Sequence, residues 1–422
     1  MYRYNKLIKN GKECTVQKKY DVAIVGGGPA GSTAAKFLSE KGFKVIIIEK
    51  DKIPRYKPCG GGLTKRVLEQ FSYVNDKSII ESYSFNGIAH SPSLKNTLSV
   101  NYNEPIVGMV LREKLDSLLV KIAVEKGAFL LDGKAVIDYK ISDDKVTIFL
   151  EGGEKIDSEI LIGADGVWSI IAKRSGLRKG PIDRGICILK EFEIDEKIID
   201  KFFTKSRAAH FYTSFQKIHG YGWVFPKKRH INIGIGEFIF KNEKKARINL
   251  TSVFKEFIEI LKKEKIIPES INVKKCEGGA LPINTLKKTF CNRVLLVGDA
   301  AGFVCTTSGE GIYYAMKSGE IAAEVISKAL DSKNTSEKFL SIYQKKWKKE
   351  FGKELKFHYK FRKIRKKGIS EKVYKLASKD KVFSEMILNL GIGKIEFHKH
   401  KWKLIRRYIV ASIKYAFMKS KR

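Results

Sequence analysis

Acidic residues are scarce in this 422-residue chain: 46 Asp and Glu stand against 82 Lys and Arg, a formal net charge of +36. Such an excess implies an acidic partner, namely nucleic acid, an anionic membrane surface or a phosphorylated substrate, unless it is spread over solvated basic faces. Cysteine is scarce too. Cys14, Cys59, Cys187, Cys276, Cys291 and Cys305 form no CxxC pair, which argues against a zinc ribbon and a disulfide-stapled secreted scaffold. No metal site is expected. Long apolar runs are missing: none reaches the roughly 18 residues needed to span a bilayer. The first twenty residues lack the apolar core of a secretion signal. The expectation is a cytoplasmic protein that can lie on a membrane without crossing it. There is no internal repeat and no low-complexity tract.

What is present is a folded composition, 43% hydrophobic, long enough for two or three domains. Residues 1–19 read as a polar tail. From Tyr20 the texture becomes a strand (DVAIV), a glycine-rich turn, a helix from about Ala30 to Lys41, and a second strand (KVIIIEK), a β-α-β unit. Arg112 to Lys126 reads as a helix through Leu115, Leu118, Leu119 and Ile122, with strands following to about Ile162. Residues 185–240 alternate apolar and polar and read as antiparallel sheet. Residues 246–265 read as helix, RVLLVGDA as a buried strand, and Gly311 to Ser327 as another helix.

The turn carries GxGxxG, with glycines at Gly26, Gly28 and Gly31 around Ala30. Gly26 permits the tight turn, Gly28 lets a pyrophosphate approach the backbone, and Gly31 lets the helix pack closely on the strand. The helix N-terminus faces the phosphates. Glu49 ends the second strand, 18 residues after Gly31, where a carboxylate accepts hydrogen bonds from a ribose diol. This fingerprint does not separate NAD from FAD.

Four further pieces resemble FAD-dependent hydroxylase-type flavoproteins. The strand ending Gly298-Asp299 resembles the segment whose Asp meets the flavin's ribityl and phosphate groups. The helix opening at Gly309-Glu310-Gly311, with Ile312 next, would aim its N-terminus at the flavin ring. Gly163-Ala164-Asp165-Gly166 resembles the same group's internal Asp-Gly motif, and Arg112 stands where that group uses an Arg near FAD. Val136, on the strand after Gly127-Ala128, falls where a backbone contact to adenine is usual.

Two motifs narrow the resemblance: Lys57-Pro58-Cys59-Gly60-Gly61-Gly62-Leu63 and Tyr221-Gly222-Trp223-Val224-Phe225-Pro226-Lys227. Together with the nucleotide segments they resemble the geranylgeranyl reductase family over roughly residues 20–330. That resemblance implies FAD and the saturation of prenyl double bonds, in the archaeal branch those of membrane ether lipids. On a strand alternate residues share a face, so Tyr221, Trp223 and Phe225 form one aromatic wall, with Gly222 leaving the other side open. A wall of this kind suits a long apolar chain, though a core-facing stripe has the same pattern. Pro226 is counted with the substrate contacts. Gly60 and Gly62 let backbone approach a planar ring, and the resemblance puts this loop beside the isoalloxazine. Cys59 would shape the site, donate a proton, form a redox pair, or be an inert buried thiol. Tyr221 and Trp223 join it as catalytic candidates. The loop Gly302–Ser308 lacks the proline common in the family and brings Cys305 near the flavin's expected place, raising an approach to Cys59.

The resulting expectation is an α/β (α+β overall) chain. A Rossmann-type FAD-binding domain of the p-hydroxybenzoate hydroxylase kind spans residues 20–58, 106–182 and 285–330. An antiparallel-sheet substrate domain spans 59–105 and 183–284. A basic helical region spans 331–422, with 28 Lys and Arg against 8 Asp and Glu. There Trp402, Ile405, Ile409, Ile413 and Phe417 recur at helical spacing among basic residues, so the helix either meets an anionic lipid surface or packs on the core. No RNA- or DNA-binding module is recognisable, which places nucleic acid last among the partners. The electron donor is left open between a reduced pyridine nucleotide and a ferredoxin-type protein. A hydroxylase on the same fold, and a flavoprotein electron carrier or RNA-docking flavoprotein, are the alternative functions.

Overall fold

The computed structural model describes residues 7–9, 12–14, 19–215, 218–241, 248–364 and 367–420. The chain divides into two compact units, each gathered from three stretches. One comprises Met1–Lys57, Arg112–Ile182 and Pro282–Lys356, the other Pro58–Leu111, Asp183–Leu281 and Phe357–Arg422.

The first unit is built on parallel strands that are continuous apolar runs, as strands covered on both faces must be. Lys19–Val25 lies between Val45–Glu49 and Lys155–Gly163, all three parallel. Phe129–Asp132 extends one side, and Val294–Leu296 pairs with Lys155–Gly163. Helix Pro29–Ser39 starts with Pro at its first position, where the missing N–H costs nothing. It packs beside helix Ile312–Asp331, which runs four residues past its expected end at Ser327. Gly319 allows the close crossing, since a Cβ there would strike Ala30 O.

Two expectations are corrected in this unit. The presumed polar tail contains an antiparallel hairpin, Leu7–Lys9 with Lys12–Cys14, and Ile8 registers against Leu130 at the sheet edge. Short alternating segments of three residues are too brief for a periodic signal. Val136 is not on the strand that follows Gly127-Ala128. That strand is Phe129–Asp132, and Val136 opens the next one, Val136–Ile141.

The second unit holds a seven-stranded sheet in which Ala209–Thr213 runs parallel to Asn86–His90 and antiparallel to Gly220–Pro226. Arg184–Glu193, His230–Ile239 and Gly220–Pro226 lie side by side. A helix, Glu196–Phe203, interrupts the stretch expected to be all sheet. Asp195 caps it by accepting from Lys197 N, and Ile199 and Phe203 pin it to the core. Helix Leu250–Lys263 covers one sheet face, setting Phe254, Phe257, Ile258 and Leu261 against Val224, Ile231, Ile233 and Ile235.

The basic C-terminal stretch is not one region. Helix Glu337–Trp347 is held by the first unit: Tyr343 Oη donates to Leu296 O, Trp347 Nε1 donates to Thr289 Oγ1, and Trp347 and Phe351 pack on Phe303. Aromatic burial overrides the shared positive charge. Helices Lys367–Ala377, Lys381–Gly391 and Phe397–Ser420 belong to the second unit, where Tyr374, Phe383, Leu388 and Ala411 close a core with Ala89 and Leu98.

Asp380 fixes the last two of these helices together. Its carboxylate accepts from Phe383 N at 2.9 Å, capping Lys381–Gly391, and from Arg407 of the final helix at 2.7 Å. Burial pushes its pKa up, but the Phe383 amide, Arg407 and Lys414 outweigh burial and hold it below the usual carboxylate value. A folded-state pKa below the unfolded one gives stability that is complete above the unfolded value and disappears as pH falls through the folded one. Asp380→Asn is therefore expected to lower stability by about 1–2 kcal/mol at pH 7. The deficit should shrink as pH falls below the ordinary carboxylate range and vanish once Asp380 is protonated in the folded protein. Thermal melts of both proteins across pH check this, and a deficit independent of pH contradicts it.

Candidate active site

In the first unit the glycine turn, the second strand and a cluster of charges form one cradle. Gly26 has φ +110°, and a Cβ on it would overlap Ala164 O; a Cβ on Gly31 would overlap Gly26 O. Gly28 differs: among the described residues beyond its chain neighbours, a Cβ there would have only Arg55 Nη2 within 4 Å, at 3.9 Å. Ala30 is buried two residues further on. Glu49 is buried at the end of its strand, accepting from Gly27 N at 2.8 Å and Asp51 N at 3.2 Å. Arg55 bridges Glu49 (3.4 Å) and Asp116 (3.0 Å), and Arg112 grips Asp116 with two bonds of 2.9 and 2.8 Å.

Lys57 and Asp299 complete this cluster. Desolvation lowers the Lys57 pKa, assisted by the positive charge of Arg112. Desolvation raises Asp299, while Lys57 and Arg112 pull it back part of the way. Three cations and three carboxylates thus gather around one glycine turn. Sequence reasoning found Glu49, Arg112 and Asp299 but missed Arg55, Lys57 and Asp116. The Arg112–Asp116 spacing of four along a helix was the available signal.

Asp165 is buried, and desolvation raises its pKa. One oxygen caps helix Ile170–Arg174 through the Ile170 and Ile171 amides; the other, Oδ1, has no partner among the described residues. Thr306 Oγ1, in the loop after Asp299, is likewise buried without a partner there. Gly311 caps helix Ile312–Asp331, and its Cβ would lie 3.6 Å from Asp299 Oδ1.

In the second unit Tyr221, Trp223 and Phe225 share one sheet face, with successive ring centroids 5.6 and 6.4 Å apart. The register explains the space they occupy. Across the sheet, Leu189, Gly234 and Trp223 align, as do Cys187, Gly236 and Tyr221. A Cβ on Gly234 would overlap the indole, and one on Gly236 would lie 2.8 Å from Cys187 Sγ. The loop Pro58–Gly62 lies on this face: a Cβ on Gly60 would come within 2.9 Å of the Phe225 ring. Asn232 ties loop to wall, accepting from Trp223 Nε1 at 2.7 Å and donating to Cys59 O at 3.1 Å and Glu191 Oε2 at 2.8 Å. Lys227 donates to the same Glu191 oxygen at 2.7 Å. Cys59 Sγ accepts from Gly61 N at 3.4 Å. Burial pushes the Cys187 thiol up to about 12, with Cys59 adding to it.

Two readings of the wall are corrected. The far side of Gly222 is not open, because a Cβ there would lie 3.0 Å from Phe257 of the covering helix. Pro226 is not on the wall. Strand alternation puts it on the opposite face with Val224, where it registers against Ile231. The structure does bring Cys59, Gly60, Tyr221, Trp223 and Phe225 together, and adds Glu191, Lys227 and Asn232, which sequence reasoning passed over. Lys227 is the last residue of the aromatic motif, and the Gly234-x-Gly236 pair opposite that motif was the unused signal. Cys59 and Cys305 are both free thiols.

A family model described as an FAD binding domain matches residues 19–350. A digeranylgeranylglycerophospholipid reductase of Methanocaldococcus jannaschii is 31% identical over 85% of this chain and 90% of its own. The chain belongs to the FAD-dependent geranylgeranyl reductase family. An uncharacterized protein of Methanosarcina barkeri is 35% identical over 75% of this chain and 76% of its own. Among solved structures, a geranylgeranyl bacteriochlorophyll reductase-like protein from Thermoplasma acidophilum superimposes with a TM-score of 0.77 at 24% identity, covering 91% of this chain and 99% of that one.

As in other FAD-dependent oxidoreductases of this kind, FAD is the cofactor, and the residues fit it. The open face of Gly28 leaves room at the start of a helix whose first amides suit a pyrophosphate. Glu49 suits a ribose diol. Arg55, Lys57 and Arg112 would offset the phosphate charge, and Asp165 Oδ1 and Thr306 Oγ1, without a partner among the described residues, are polar atoms that such a ligand can satisfy.

Proposed function

We propose that this member of the geranylgeranyl reductase family saturates C=C bonds in the geranylgeranyl or other prenyl chains of a membrane lipid of the archaeal ether-lipid type. The observation that supports it most is the aromatic face of Tyr221, Trp223 and Phe225 against the Cys59–Gly60 loop. The names of the M. jannaschii and other archaeal relatives agree with it. Gly26, Gly28, Ala30, Gly31, Glu49, Arg112, Asp165 and Asp299 would hold FAD, with Gly60, Gly62, Gly311, Ile312 and the Val136 backbone completing its contacts.

FAD, when bound and reduced, would supply the hydride. The Cys59 S–H would donate a proton to one alkene carbon, and the partial positive charge that develops on the other carbon would be stabilised by the π faces of Tyr221, Trp223 and Phe225 in a water-poor setting until the hydride completes the saturated bond. The thiolate left on Cys59 would regain a proton from solvent. Asn232 keeps Trp223 and the Cys59 backbone in register during this transfer. The electron donor is a reduced pyridine nucleotide or a ferredoxin-type protein, and the enzyme works on the cytoplasmic side of an anionic membrane. No helix among the described residues is long and apolar enough to cross it.

Anaerobic mixing of the reduced protein with a geranylgeranyl glycerol-ether phosphate tests the reading. The oxidised spectrum should return and the lipid should gain mass in steps of two hydrogens. A spectrum that returns only when air is admitted refutes the reductase and favours oxygen chemistry. Cys59→Ala is expected to keep its flavin while the anaerobic reoxidation rate falls about 100-fold. Reoxidation at the parent rate would remove Cys59 as the proton donor and leave Tyr221.

A further inference from the structure

The final helix, Phe397–Ser420, has two apolar faces, and the fold uses only one. Leu404 and Ala411 are buried, and Tyr408 and Tyr415 pack with Ala411 against Tyr374, Phe383 and Leu388. Arg407 is drawn to Asp380 on the same side. Nearly opposite around the helix run Trp402, Ile405, Ile409 and Ile413, exposed by 75%, 39%, 51% and 51%. They follow each other at spacings of three and four, a continuous stripe about 17 Å long. Phe417 continues the line at 65% exposure. Four consecutive large side chains on one face are more than the scattered apolar residues that any protein surface carries.

Charge says what covers this stripe. The helix holds seven Lys and Arg and no Asp or Glu. Lys403 and Arg406 are exposed beside the stripe with no ion-pair partner among the described residues, and Lys401 lies over the Trp402 ring at 4.8 Å. An apolar ridge that is bordered by unpaired cations and ends in a tryptophan matches the boundary between lipid headgroups and acyl chains, where indole and long basic side chains are favoured. An acidic protein partner would match the cations but leave four aliphatic and aromatic residues facing charge.

We infer that the outward face of helix Phe397–Ser420 inserts into the surface of an anionic lipid bilayer, its inner face remaining packed on the protein. This deepens the proposed function, resting on its reading that the prenyl substrate resides in a membrane, and gives the enzyme a fixed element with which to meet that membrane.

The test is co-sedimentation of the purified, oxidised full-length protein with vesicles of phosphatidylglycerol and phosphatidylcholine, or phosphatidylcholine alone, at about 0.1 M salt. The parent should bind the anionic vesicles and largely ignore the neutral ones. Ile405→Ser/Ile409→Ser should weaken partition by at least about tenfold, and Lys403→Glu/Arg406→Glu by roughly fivefold or more per charge reversed. All four positions are exposed, so melting temperatures should match the parent. The parent's tryptophan emission should shift to the blue on vesicles, and that of Trp402→Phe should not. Equal binding by parent and Ile variants overturns the inference. So does a dimer that the Ile variants turn to monomer without altering partition, which would assign the stripe to a second copy. Retention on DNA lost in the charge variant with vesicle binding intact would assign the cations to nucleic acid and also overturn it. No turnover enters these measurements. Vesicle binding without lipid reduction refutes the proposed reaction alone, and reduction of detergent-dispersed lipid without vesicle binding refutes the surface alone.

Discussion

Gly28→Val should purify as a folded, colourless protein, while Gly31→Val should not accumulate in soluble form. The two glycines stand three residues apart in one motif, and the contrast follows from what surrounds each. A Cβ on Gly31 would overlap the Gly26 carbonyl and lie 3.0 Å from Ile24 Cγ2. Neither neighbour can retreat, because Gly26 is itself locked against Ala164 and Ile24 is in the centre of the sheet. Strain on backbone in a close-packed interior costs several kcal/mol.

Gly28 has φ −80° and ψ −176°, extended backbone open to any L residue, and a Cβ there would lie 3.9 Å from the tip of Arg55 with no closer atom among the described residues beyond its chain neighbours. The protein loses little by the change. What is lost is the space next to the first amides of helix Pro29–Ser39, where a pyrophosphate must come within hydrogen-bond reach of backbone. An isopropyl group standing there excludes it. FAD affinity is expected to fall at least 100-fold, about 3 kcal/mol, while the circular dichroism and melting temperature of the flavin-free protein stay near those of flavin-free parent. Fluorescence titration of FAD into both proteins measures it. A Gly28→Val protein that retains yellow colour through purification would show that the pyrophosphate is held elsewhere.

That contrast also marks how far sequence reading reaches. GxGxxG, the terminal Glu49 and the Gly298-Asp299 strand were legible because each is a local demand of backbone geometry, expressed within a few residues. The cluster around Asp116 was not. Arg55 and Lys57 lie in a loop with no periodic signal, and only the fold brings them to Asp116, 61 residues beyond Arg55. The aromatic wall was readable from strand alternation, but its reverse side was not, since Phe257 arrives from a helix later in the chain. Pro226 was misread by treating the motif as a unit when the pleat divides it. In the C-terminal helix the visible stripe from Trp402 to Ile413 was found. The set that packs, Leu404, Tyr408, Ala411 and Tyr415, was hidden because a small residue and two tyrosines carry little hydrophobic contrast beside Trp and Ile.

Lys227→Met is expected to destabilise the protein by about 3–5 kcal/mol, and a second substitution, Glu191→Leu, to restore much of that loss. Lys227 is 1% exposed, and its ammonium meets Glu191 at 2.7 Å, with Asn232 donating to the same oxygen. Glu191 Oε1 has no partner among the described residues, so the carboxylate depends on the lysine for most of its compensation. Removing one member of a buried ion pair leaves the other charge desolvated and unpaired, whereas removing both with apolar groups of similar volume is often close to neutral. The double-mutant cycle should show a coupling of about 2 kcal/mol or more, read from thermal or denaturant unfolding. Single variants that add to the double within about 0.5 kcal/mol would show two independent groups. The pair's larger effect is on orientation. Glu191 fixes the amide of Asn232, and that amide holds both the Trp223 indole and the Cys59 carbonyl. Restored stability in Lys227→Met/Glu191→Leu should therefore coexist with slowed prenyl reduction, because a leucine beside Asn232 packs but cannot accept its hydrogen bond. Full activity in that double variant would reduce the network to scaffolding.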